Sequence, residues 1–401
     1  MNFFKLNNPI QNYAWGSNTA LQELFGIENP NGEPQAEIWM GAHPNGCSKL
    51  QFEDEDILLS EFINRDKVRI LSYSVEKQFG ELPYLFKVLS AESALSIQVH
   101  PNKEEAESGF AKEEDLGVLR SAWNRNYKDA NHKPELVYAL TTYQAMNGFR
   151  AYADIISLFS RVIEKLDLPV IQKLVESFRK NMTPEGMEVF FTGVLSLGDK
   201  DKELSIRGLI EYAKEYQRPN KENDIWTLIL DLEQTYPNDV GLFGPLMLNV
   251  FTLKPGDAMY LDARTPHAYI RGTGLEVMAN SDNVLRAGLT LKHIDVKELV
   301  RCTSFVEKPL ESLLLAPKVL GRKNSYSVPV PDFSFDCFTM ASDEKILVQG
   351  AEILFAIDSI VTVVHTSGES LVIAKGESVF IPAYAEEYLL NSEGRVARVY
   401  I

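Results

Sequence analysis

The sequence predicts a mainly β protein in which a split or duplicated β-barrel is interrupted by an all-helical insertion. Short apolar runs cut by Gly, Pro and Asn fill residues 1–150 and return after Asn238. Between them the apolar spacing lengthens from two to about 3.6 residues. A segment near residue 260 is also echoed near residue 380. At 401 residues the chain exceeds the size at which one core keeps growing, so two or three domains are expected.

Taken in order, IWMGAHPNG (Ile38 to Gly46) reads as a strand ending in a turn, and Tyr84 to Lys103 as two strands stopped by Pro101. In the second of these, Ser96, Gln98 and His100 share one face, because side chains two apart point the same way, and Ile97 and Val99 face the sheet's packed side. The charged stretch Glu104 to Arg120 reads as helix or loop. Pro134 limits helix before the apolar run Leu136 to Leu140, which places His132, Lys133 and Glu135 at a strand entrance.

From about Ala151 to 240 the pattern is helical. In DIWTLILDLEQTY, Ile225, Leu228, Ile229 and Leu232 form an i, i+3, i+4, i+7 stripe, and Thr183-Pro184 reads as a helix start with Pro at its first position. The β pattern then resumes over 241–315 and 316–401, and Lys292 to Cys302 reads as a helix. PGDAMYLDARTPHAY (Pro255 to Tyr269) can be laid over KGESVFIPAYAEEY (Lys375 to Tyr388), with His267 opposite Glu387. Only the earlier copy keeps the imidazole, so function is expected to concentrate there.

Composition narrows the chemistry. A net charge of -16 without a long basic run argues against nucleic acid and requires any phosphate site to be local. No stretch of eighteen apolar residues and no signal-like N-terminus is present, so neither membrane insertion nor export is expected, and a cytoplasmic location is. Cys47, Cys302 and Cys337 lack metal-ligand or disulfide spacing.

A Gln oxygen, two imidazoles and a carboxylate would suit zinc, and Gln98, His100, Glu135 and His267 come from strand faces and turns able to converge while leaving one coordination position open. Each histidine also reads as a satisfied structural side chain, the preferred reading for His43, His293 and His365. Lys133 and His132 read as acid/base groups or as a solvated turn, and Arg286 and Lys292 as phosphate ligands or surface charges. Glu276, in the run LEVMANSDNVLRAGLT (Leu275 to Thr290), reads as a partner of sugar hydroxyls or as a strand end. That run is too polar for a core and too patterned for a plain loop.

QNYAWGS (Gln11 to Ser17), GELPYLFKVL (Gly80 to Leu89), LSIQVHPNK (Leu95 to Lys103), NYKDANHKPEL (Asn126 to Leu136), PHAY (Pro266 to Tyr269) and LEVMANSDNVLRAGLT together resemble the type I mannose-6-phosphate isomerases. The likeness spans essentially the whole chain. It implies two cupin-type (jelly-roll) β-barrels with an inserted helical domain: the catalytic barrel from 1–150 and 241–315, the insertion from 151–240 and a C-terminal barrel from 316–401. It implies one Zn(2+) per chain on Gln98, His100, Glu135 and His267, catalytic roles for Arg286, Lys133, His132 and Glu276, and substrate contacts from Ser96, Lys292 and Arg286. The implied reaction is reversible isomerisation of the phosphorylated hexose D-mannose 6-phosphate to D-fructose 6-phosphate through a zinc-assisted cis-enediol, feeding mannose catabolism and GDP-mannose precursor synthesis. Lys133 with His132 is the expected proton shuttle, with Glu276 its rival. Barrels capped by helices need no partner to complete a core, so a monomer is expected.

Overall fold

A computed structural model describes residues 1–401. Its first strands are β1 (Phe4–Leu6), β2 (Ile10–Gln11), β3 (Glu37–Met40), β4 (Lys49–Phe52), β5 (Glu55–Leu58), β6 (Tyr84–Ala91), β7 (Ile97–Val99), β8 (Glu135–Ala139) and β9 (Tyr143–Phe149). After the helical insertion come β10 (Leu248–Leu253), β11 (Ala258–Leu261), β12 (His267–Ala279) and β13 (Leu285–Gly288). The second half holds β14 (Lys318–Leu320), β15 (Lys323–Tyr326), β16 (Ser334–Thr339), β17 (Glu344–Leu347), β18 (Glu352–Ala356), β19 (Val361–His365), β20 (Ser370–Ile373), β21 (Ser378–Ile381), β22 (Glu387–Ser392) and β23 (Arg395–Tyr400).

The order of pairing repeats. In the first half β2-β3-β6-β12-β8-β11 form one layer, and β7-β12-β9-β10 the facing one; in the second half the layers run β14-β15-β16-β23-β18-β21 and β17-β22-β19-β20. Strand β12 does the work of two, crossing between layers near Gly272, whose φ of +117° and contact with Thr142 O exclude a side chain. In the second half a turn at Glu393-Gly394 cuts the equivalent strand into β22 and β23. Neither half closes into a continuous barrel, and helix (31%) balances strand (30%), so the expectation of a mainly β chain is corrected. Part of the excess lies in the helices Leu59–Arg65, Lys67–Leu71 and Tyr73–Phe79, too short to show a period in the sequence.

Alternation along the strands builds one core between the halves. Phe86, Val88, Leu136, Tyr138, Leu275 and Val277 project from one large layer against Phe335, Cys337, Ile353, Phe355, Ala397 and Val399 from the other. The opposite faces of those strands carry the buried charges Lys87, Glu135, Glu276, Asp336, Glu352 and Arg398 among apolar residues such as Val137 and Leu354. The predicted helical block is present as Tyr152–Lys165, Pro169–Lys180, Pro184–Leu195, Asp199–Tyr216 and Ile225–Thr235. Thr183 caps the third of these by accepting from Gly186 N, with Pro184 at its first position. Ile155, Phe159, Phe190 and Phe191 pack it onto the outward side chains Ile97, Val99, Ala268 and Ile270 of the smaller layer. No helix is long and apolar enough to cross a membrane.

Two readings change. The helix near 292–302 is limited to Val296–Arg301, leaving Lys292 on the approach loop. The internal repeat is real, since Gly256 and Gly376 both turn at positive φ, but its later part slips by one residue. Tyr388 pairs with Ile346 and faces the core as His267 pairs with Gln98 and faces the cavity, whereas Glu387 points outward. Tyr388 lies seven positions after Ile381, whereas His267 lies six after Leu261.

The insertion meets the site where Gly288 crosses Gly241. A Cβ on Gly288, at φ +132°, would lie 2.5 Å from Gly241 Cα, and Asp239 accepts from Leu289 N (2.7 Å) and Thr290 N (3.1 Å). Gly288→Ala should cost about 1–3 kcal/mol, read as a lower thermal midpoint; unchanged stability would show that this crossing is loose.

Candidate active site and metal centre

Polar side chains converge on the inner face of the first half. Gln98 projects inward between buried Ile97 and Val99, and sheet register sets it beside His267 on one side and Arg286 on the other. Glu135 opens β8 and is only 3% exposed. Its Oε1 lies 3.3 Å from His100 Nε2 and its Oε2 3.5 Å from His267 Nε2.

Each imidazole is oriented by a backbone carbonyl. His100 Nδ1 lies 2.7 Å from Asn283 O, and His267 Nδ1 lies 2.9 Å from Thr265 O. A carbonyl only accepts, so Nδ1 carries the proton and Nε2 presents a lone pair. His100 Nε2 is buried without a hydrogen-bond partner, and burial, partly opposed by Glu135, lowers the ring's pKa to about 4, keeping it neutral. Two nitrogen lone pairs and a carboxylate within 4.8 Å of one another repel unless a cation lies among them. The donor set fits a metal ion. Burial would raise the Glu135 carboxyl, but Lys133, 3.4 Å away, holds it well below the usual range.

Beside this cluster lies a second buried charge pair. Lys87 Nζ donates to Glu276 Oε2 at 2.9 Å and lies 3.6 Å from Glu37 Oε1, over the Trp39 ring. Burial alone would lower the Lys87 ammonium, but Glu276 and Glu37 hold it above its ordinary value. Burial raises Glu276, with Glu135 and Glu37 adding to the effect against Lys87. The Tyr269 hydroxyl lies 2.8 Å from Glu135 Oε2 and 2.7 Å from Glu276 Oε1, offering one proton to two carboxylates.

A cavity of about 310 Å³ opens over both groups, lined among others by Ser96, Gln98, Lys133, Arg286 and Lys292. Burial lowers Arg286, and burial, Arg286 and Lys128 lower Lys292, making this wall a local cationic patch in an acidic protein. Of the expected site residues, only His132 turns away. Its Nε2 lies 3.0 Å from Asp332 Oδ2, tying the loop before Lys133 to the second half. Lys87, Glu37 and Tyr269 were missing from the sequence reading. For Lys87 and Glu37 the signal was a single charge in an apolar strand, as in YLFKVL and AEIWM.

The polar run after β12 acts as a clasp. Asn283, fully buried, donates to Asp129 O (2.8 Å) and Asn131 O (2.9 Å) and accepts from Lys128 N (2.7 Å), while its own carbonyl orients His100. Ser281 Oγ donates to Asp129 Oδ1 at 2.9 Å.

Three family profiles match the chain: phosphomannose isomerase type I, catalytic domain, at 3–152; its helical insertion domain at 169–248; and mannose-6-phosphate isomerase, cupin domain, at 322–401. The chain belongs to the type I phosphomannose isomerase family. Mannose-6-phosphate isomerase of Escherichia coli is 45% identical over 398 residues, 99% of each chain, and the Homo sapiens enzyme 35% identical over 351 residues, 82% of this chain and 80% of that one. A crystal structure of a point mutant of phosphomannose isomerase from Salmonella typhimurium superposes with a TM-score of 0.94 at 44% identity, covering 100% of this chain and 99% of that one. A zinc-bound holo mannose 6-phosphate isomerase gives 0.93 at 44% identity with the same coverage.

Asn283→Ala would strand several buried amide and carbonyl partners, each worth about 1–3 kcal/mol. The variant should melt lower than the parent and hold metal more weakly in a competition titration with a chelator; parent-like metal affinity would show that the clasp does not position His100.

Proposed function

We propose that the chain interconverts D-mannose 6-phosphate and D-fructose 6-phosphate through a cis-enediol, with one zinc ion held by Gln98, His100, Glu135 and His267. The observation that carries this reading is the set of mutually facing lone pairs on His100, His267 and Glu135, placed beside the buried Lys87–Glu276 pair in one hexose-sized cavity. Relatives named for this activity, and a zinc-bound relative of the same fold, support it. The matching order of strand pairing supports reading both halves as cupin-type barrels.

When bound, zinc polarises sugar oxygens and stabilises the negative charge that develops on them. The chain's own groups do the rest. Arg286 and Lys292 present positive charge at the cavity wall, where they neutralise and orient the phosphorylated substrate, with Ser96 beside them. Lys133 and Glu276 both reach the cavity, and the proton shuttle between neighbouring sugar carbons falls to them. His132 supports the Lys133 loop through Asp332 rather than touching substrate. The two halves and the insertion bury their apolar faces within one chain, which supports a monomer.

Isomerase activity on mannose 6-phosphate should vanish with a chelator and return with zinc. Arg286→Ala should keep its zinc and lose about 10²–10³-fold in kcat. Full activity after metal removal, or in Arg286→Ala, would sink the assignment. A metal-loaded, folded chain that binds mannose 6-phosphate without converting it would instead mark a sugar-binding protein.

A further inference from the structure

The repeated topology allows the first half's site to be traced position by position into the second. Glu135 pairs with Leu261 and Glu352 with Ile381, so Glu352 occupies Glu135's place. Val137 pairs with Glu276, which pairs with Lys87; Leu354 pairs with Arg398, which pairs with Asp336. Arg398 therefore stands at the Glu276 position and Asp336 at the Lys87 position, with the signs of charge exchanged. In the smaller layer Ile346 stands for Gln98 and Tyr388 for His267, and Val348, two residues after Ile346, for His100.

One carboxylate has thus survived while its three companions became Ile, Val and Tyr. Glu352 is 0% exposed, and a bare carboxylate there would be costly without a countercharge. Arg398 Nε and Nη2 donate to Glu352 Oε2 at 3.0 and 2.6 Å, and the Tyr388 hydroxyl donates to Oε1. In the first half His267 Nε2 approaches Glu135 from the position that Tyr388 takes here. A cavity of about 370 Å³ persists, lined in part by Lys323, Arg398 and Tyr400, which correspond to Glu37, Glu276 and Met278 of the first cavity.

We propose that the second half carries a decayed copy of the metal pocket, in which the guanidinium of Arg398 supplies the positive charge that a metal ion supplies in the first. The proposal rests on reading Gln98, His100, Glu135 and His267 as the metal centre. It assigns Arg398 as the internal cation that lets a carboxylate from the duplicated pocket remain buried without a metal.

Two measurements on the full chain test this. In a double-mutant cycle, Arg398→Met should lower the melting midpoint by about 6–12 °C by leaving Glu352 without a countercharge, and Glu352→Gln with Arg398→Met should regain most of that loss. Additive losses would overturn the proposal. The combination Ile346→Gln, Val348→His, Tyr388→His and Arg398→Met, with Glu352 kept, should raise zinc from one to two ions per chain by elemental analysis. A folded rebuilt chain holding only the parent's zinc would overturn it as well. If the rebuilt chain does not fold, the cycle decides alone. A parent chain that takes up no zinc would instead refute the first-half metal centre, and the cycle, which needs no metal, separates that failure from this one.

Discussion

The structure depends on keeping a negative charge at Glu135 out of water. A carboxylate 3% exposed is tolerated only where cations or donors converge on it, and here Lys133 and the Tyr269 hydroxyl do, while His100 and His267 turn their lone pairs to the same point. These groups come from three separate stretches of chain, so each stretch must be fixed by its own scaffold. The register of β12 against β7 places His267, the Asn283 carbonyl fixes His100, and the entrance of β8 places Lys133 and Glu135 together. Loosening any one leaves buried polar atoms facing each other without compensation.

Alternation with period two is what lets one sheet serve both stability and chemistry. Along β12, Leu275 and Val277 belong to the core shared with the second half, while Glu276 and Met278 line the cavity. Lys87 likewise sits between Phe86 and Val88, which face that core. A slip of one residue would bury the charges in the shared core and empty the cavity of its chemistry. Gln98, Glu135, His267, Glu276 and Arg286 are thus placed by strands, while Ser96, His100, Lys133 and Lys292 lie on the segments that flank them.

How much of this was legible depended on the kind of signal each residue left. Gln98 and His100 were readable because alternation around Ile97 and Val99 gave them a common face, and the helical insertion because its apolar stripes extend over several turns. Lys87 and Glu37 were not, since a lone charge inside an apolar strand is indistinguishable in one dimension from an edge or a kink. Asn283 was visible only as part of a run too polar for its setting; that it clasps loop 128–131 is a long-range fact. His132 was drawn toward the site by adjacency to Lys133, yet neighbours along an extended strand entrance point opposite ways, and its ring meets Asp332. The repeat was found in the sequence but misregistered by one residue, because a one-residue shift between strands leaves no mark until strand pairing is known.

The distribution of charge explains how an acidic chain can hold an anionic substrate. At physiological ionic strength the field of an exposed charge fades over about 8 Å, so the excess of carboxylates elsewhere on the surface is screened from the cavity. At the wall, burial and the neighbouring charges of Arg286 and Lys128 together reduce the affinity of Lys292 for its proton. The deeper carboxylates Glu37, Glu276 and Glu135 are already engaged by Lys87, Lys133 and the tyrosine hydroxyl. The wall therefore presents unpaired positive charge, while the three interior carboxylates are offset by two ammonium groups and a tyrosine hydroxyl. In the proposed function, the division between phosphate held at the rim and proton chemistry performed inside rests on which charges are paired in the fold and which are left open to solvent.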